Sequence, residues 1–145
     1  MEEIGFIYVL ALSVILLSSV ILTVQNSTSD RKLNATTTFY QDVAHHLASA
    51  VQDVITSHLV HPDISYTRYI TLRHTDLAYG YRIEFSQYNV TVISRVGDIK
   101  ITANFYNPTE IEIAADYIAD AKFVCLYYDP LENSISIISV SSIVR

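Results

Sequence analysis

Ile4 to Val24 is a run of 21 residues without a charge. As a helix rising 1.5 Å per residue it would be about 30 Å long, the thickness of a bilayer's hydrocarbon core. Leu, Ile and Val crowd it on every side, more than a helix with one face in water carries. The rest of the 145-residue chain is polar, rich in tyrosine and patterned mostly for strands. The expected fold class is therefore α+β: a long N-terminal hydrophobic helix, then an antiparallel β-rich globular head of about six strands. The length suits one soluble domain and one membrane helix.

A secretory signal carries an apolar stretch of about 7 to 15 residues behind a basic one. Here the run is longer, Glu2 and Glu3 precede it, and no small-x-small cleavage pattern follows. A retained helix is the expectation.

Behind Val24 lies the polar stretch Gln25-Asn-Ser-Thr-Ser-Asp30, where the helix either kinks or continues. From about residue 30 to Ser57 the helical period returns. Phe39, Val43, Leu47, Val51 and Val54 recur at three- and four-residue spacing, and neither Gly nor Pro intervenes. Pro62 marks the stop. Residues 1–24 are thus expected to form an apolar helix that faces lipid or other apolar helices, 25–61 an amphipathic continuation that packs on the head, and 62–145 the head.

From Ser65 the period becomes two. Leu77, Tyr79, Tyr81, Ile83 and Phe85 share one strand face, with Ala78, Gly80, Arg82 and Glu84 opposite. Tyr88 to Val96 and Ile99 to Tyr106 flank Gly97-Asp98, which suits a two-residue hairpin loop. Further strands are expected over Ser65 to Leu72, Ala121 to Tyr128 and Ser134 to Val144, with Asp129-Pro-Leu-Glu-Asn133 as a second hairpin. Glu110 to Asp120 fits either a strand or a helical turn.

Beyond residue 24 the chain holds 9 Lys and Arg against 13 Asp and Glu, since Glu2 and Glu3 account for two of the 15 acids. That balance lacks the basic stripe of a nucleic-acid binder, so no nucleic acid is expected as partner. The single cysteine, Cys125, sits in a strand-like run and is expected to be a small core hydrophobe. His45, His46, His58, His61 and His74 lack carboxylate or thiol partners at ligand spacing, so no metal is expected. Glu110, Glu112, Asp116 and Asp120 lack the spacing of a calcium loop and suit a solvated face. With three glycines and no Ser/His/Asp or Cys/His arrangement, neither a cofactor nor a catalytic site is expected. The eleven tyrosines suit half-buried strands, and the same chemistry suits a subunit interface.

Asn26-Ser-Thr28, Asn34-Ala-Thr36 and Asn89-Val-Thr91 are N-glycosylation sequons. They favour a head outside the cell, whereas Arg31 and Lys32 behind the helix and Glu2 and Glu3 before it would favour the cytoplasm. The outside placement is the one adopted.

Glu3-Ile-Gly-Phe6, leading into Ile7-Tyr-Val-Leu-Ala-Leu-Ser-Val-Ile-Leu-Leu17, resembles the mature N-terminus of archaeal type IV pilin-like proteins, the family made with class III signal peptides. The resemblance covers roughly residues 2 to 24. It implies a cell-surface filament whose core is built from these helices, membrane-inserted before assembly, with a prepilin peptidase removing a basic leader. Glu3, or Glu2, would pair with a neighbour's terminal amine, and Glu2, Glu3 and Phe6 are the residues it points to for assembly. No Lys/Arg-Gly leader stands ahead of Glu2, so either the leader has already been removed or Met1 is the start. The implied partners are further copies or other pilin-like subunits. The alternative is a monotopic membrane-anchored extracellular binding protein, similar to the stator components of the archaeal swimming filament, whose partner would be a surface-layer protein.

Overall fold

The computed structural model describes residues 2–72, 80–95, 98–115, 118–119 and 122–140, with backbone alone for residues 2–6 and 119. One helix, α1, runs from Glu2 to Val60, 59 residues without interruption. With Gly5 at its start and no proline before Pro62, nothing in the sequence breaks it. The polar stretch after Val24 continues the helix, and its end lies three residues beyond Ser57. There the His61 N–H donates to the Ser57 carbonyl at 3.0 Å.

Among the described residues eight strands follow: β1 (Tyr66–Thr71), β2 (Tyr81–Phe85), β3 (Asn89–Ser94), β4 (Lys100–Asn104), β5 (Glu112–Ala115), β6 (Ile118–Ala119), β7 (Phe123–Asp129) and β8 (Ser134–Val140). They form two four-stranded sheets, ordered β1-β7-β8-β5 and β4-β3-β2-β6. The α+β arrangement is the one the residue pattern implies. The count exceeds six because Glu110 to Asp120, which fitted strand or helix, supplies β5 and β6. The head is not wholly antiparallel: β5 runs parallel to β8, with Ile113 beside Ile135.

The alternation in β2 holds. Tyr81, Ile83 and Phe85 turn inward, and Arg82 and Glu84 are exposed and paired at 3.2 Å. Leu77, Ala78 and Tyr79 lie outside the described residues, as do His74, Gly97, Asp116, Asp120 and Ile143. The two-residue turn expected at Gly97-Asp98 falls partly outside the described residues. On its flanks the Ser94 N–H donates to the Ile99 carbonyl at 2.9 Å. The Ser94 hydroxyl donates to the Asp98 carboxylate at 2.6 Å and also accepts the Ile99 N–H at 3.3 Å. This bond holds the Asp98 carboxyl below its usual range. The Asp129–Asn133 hairpin forms as the turn residues imply. Asp129 Oδ1 caps the Leu131 N–H at 2.9 Å, and Asn133 takes a left-handed φ of 49°.

The chain falls into two compact units, Met1–Ala35 and Thr36–Arg145. Within the second, one core joins both sheets to the amphipathic part of α1. Tyr40, Val43, Ala44, Leu47, Val51, Val54 and Ile55 are buried at helical spacing against Ile70, Ile83, Val92, Leu126 and Ile137. Phe39, Tyr40 and Tyr81 form an aromatic trio with centroids 5.8 to 6.0 Å apart. Asp53 pairs with Arg68, and Gln52 Oε1 accepts the Tyr106 N–H at 2.6 Å. Buried Asn107 organises the β4–β5 connection. Its amide donates to the carbonyls of Gln87 (3.3 Å) and Ile111 (2.9 Å), and its oxygen accepts the Ile111 N–H at 3.0 Å.

Candidate membrane and assembly surface

The surface that stands out chemically is α1 from Ile7 to Val24. Every side chain in that stretch is exposed within the chain, including twelve Leu, Ile and Val residues. They cover the whole circumference, so the segment is not the buried face of a soluble helix. Each such side chain prefers lipid by roughly 0.3 to 0.6 kcal/mol near the bilayer centre, about 5 kcal/mol together. It is the one described helix long and apolar enough to cross a membrane; a secretory signal has the same two properties.

The four Ser and Thr hydroxyls inside this stretch are all satisfied by their own helix. Ser13, Ser18 and Thr23 donate to the carbonyls of Val9, Val14 and Ser19 at 2.8 Å, and Ser19 donates to Leu16 at 3.0 Å. A hydroxyl bonded back in this way carries no demand for water, which makes it tolerable in hydrocarbon or a dry helix bundle. The first charges behind the run are Asp30, Arg31 and Lys32, all exposed.

The residues singled out for assembly, Glu2, Glu3 and Phe6, lie in the first turns of α1, and their side chains fall outside what is described. Of the sequon asparagines, Asn26 and Asn34 are exposed on α1 and Asn89 is half-buried at the start of β3. The hydroxyls of two sequon threonines are engaged, Thr28 with the Val24 carbonyl at 2.8 Å and Thr91 with Thr102 at 3.0 Å, while Thr36 is buried.

His45, His46 and His61 are exposed, whereas His58 is half-buried with its ring 4.8 Å from that of Tyr128. Among the described residues no three potential ligands converge on a metal position. Glu110 and Glu112 are exposed. Cys125 is buried in β7, though on the outer face of its sheet rather than in the central core. It pairs with Tyr69 on one side and Ile138 on the other. Burial pushes its thiol pKa up, and a hydrogen bond with the Tyr69 side chain partly offsets this.

Sequence reasoning missed two surfaces. One is the outer face of β1, β7 and β8, where Tyr69, Tyr127 and Ile138 are exposed around Cys125. The other is the end of the head at the C-terminus of α1, where Leu131 is 95% exposed. A lone leucine inside Asp-Pro-Leu-Glu-Asn was the available signal for the second. Compared with protein-family models, curated proteins and solved structures, the chain finds no match.

Proposed function

We propose that this chain is a structural subunit of a cell-surface filament, pilin-like in its assembly, with the apolar helix in the filament core and the β-rich head outside. The observation that carries this reading is the exposed, uncharged circumference of α1 from Ile7 to Val24 with its Ser and Thr hydroxyls bonded internally. Such a surface is stable only beside lipid or beside other apolar helices, and the two occupants suit successive stages of one life cycle. The filament would be a homopolymer or a mixture with other pilin-like subunits, extracellular and membrane-inserted before assembly.

Two fractions of the same cells test it. Shearing should release the full chain in fibres, and a variant lacking residues 1–24 should stay monomeric and absent from them. Fibres built from the truncated chain would refute the helix-core reading. Complete retention in membranes, with nothing sheared, would favour the anchored binding protein instead. The internal bonding of the hydroxyls suits permanent residence in lipid equally well.

A further inference from the structure

The head leaves apolar side chains uncovered where α1 ends. Leu59 and Val60 close the helix, Ile64 follows, and Leu131 tips the β7–β8 hairpin; all four are exposed. Tyr128 draws their segments together. Its hydroxyl lies 3.5 Å from the Pro62 carbonyl oxygen and 3.4 Å from Asn133 Oδ1, and its ring packs on His58. The Asp129 carboxylate accepts the Leu131 N–H at 2.9 Å and so fixes the backbone from which Leu131 projects.

Among the described residues, the charged side chains that flank this apolar pole in sequence are acidic. Burial and the nearby Asp129 and Asp63 carboxylates all oppose ionisation of the Tyr128 hydroxyl, and Glu132 is exposed beside Leu131. No Lys or Arg occurs from Ser57 to Thr67 or from Leu126 to Val144. Three carboxylates around four apolar side chains disfavour an anionic lipid surface and disfavour the same pole of another copy. The complementary surface is basic and apolar together. This chain carries one: Arg31 and Lys32 are its only adjacent pair of basic residues, and Leu33 behind them is exposed as well.

We propose that the acidic, apolar pole of one copy docks on the Arg31-Lys32-Leu33 stretch of a second copy, an inference that rests on the self-assembling reading above. A contact of so few side chains falls well short of the roughly 800 Å² per partner that holds a stable pair alone. Its role is to orient copies that the apolar helices hold together, with charge selecting the register.

Crosslinking in the full-length protein tests it. Two differently tagged copies are co-expressed on a Cys125→Ala background, one with Leu131→Cys and the other with Leu33→Cys, and treated with a short bis-maleimide. The expected product is a dimer carrying both tags. A parallel pair with Leu16→Cys in both copies reports helix association. Asp63→Lys with Glu132→Lys in the first copy should cut the mixed dimer at least fivefold. Adding Arg31→Glu and Lys32→Glu to the second should restore it to within twofold. A Leu16 dimer without the mixed dimer, or a mixed dimer indifferent to charge reversal, overturns the docking contact and leaves assembly standing. Absence of both dimers overturns the self-assembling reading as well.

Discussion

Tyr69 of β1 stands directly opposite Cys125 of β7, which is only 6% exposed on a sheet face where Tyr69, Tyr127 and Ile138 are themselves exposed. The thiol is flanked by the Tyr69 ring and Ile138 rather than by the core.

Native Cys125 should therefore react slowly with a maleimide at neutral pH, because burial keeps its thiolate fraction low. Tyr69→Ala should speed labelling at least tenfold without unfolding the chain. Equal labelling rates in the two proteins would show that the ring is not the cover.

Asn107→Ala should destabilise the head by roughly 2 to 4 kcal/mol, because it strands the Ile111 N–H and two carbonyls in a buried loop. Denaturant titration of the detergent-solubilised chain, followed by tyrosine fluorescence, reads this. A loss below about 0.5 kcal/mol, the scale of a surface change, would mean that the loop holds without its amide.

Asp98 sets an acid-side expectation. Its folded-state pKa lies below the usual carboxylate range because the Ser94 hydroxyl hydrogen-bonds the charged carboxylate. The unfolded chain then binds the proton first as pH falls, so the stabilisation is present above about pH 4 and is lost through the folded-state value. Ser94→Ala should lower the melting temperature at pH 6, and the gap from wild type should narrow towards pH 2.5. A gap independent of pH would assign the effect of Ser94 to packing.

Glu2 and Glu3 stand directly ahead of the uncharged run from Ile4 to Val24. A carboxylate among apolar helices costs several kcal/mol unless paired, and a neighbour's terminal amine is the partner the pilin resemblance supplies. Glu3→Ala should lower filament yield while the head stays folded. If Glu2 takes the pairing role, the defect appears in the double alanine variant alone. Normal yield and symmetry from the double variant would remove both acids from assembly.

Much of this architecture is written in periodicity. The apolar run, the helical spacing from Phe39 to Val54, the alternation around Tyr81 and the Asp129 turn each follow from a local rule, and each is present. What escaped was decided at a distance. β5 is four residues long and takes its identity from lying parallel to β8, a pairing no local pattern announces. The acidic pole needs Asp63 and Asp129 brought to one tyrosine across more than sixty residues of chain, which only folding does.

The internal hydrogen bonds of Ser13, Ser18, Ser19 and Thr23 also have a mechanical meaning. A hydroxyl whose proton is already bonded to its own backbone does not donate to a neighbouring rod, so from Val9 to Val24 the helix offers its surroundings little but hydrocarbon. Hydrocarbon contacts are strong in sum but nearly indifferent to sliding by a turn or to rotation about the axis. A bundle of such rods can stretch or twist while staying cohesive, and its axial alignment has to be fixed at the ends, where the charges are.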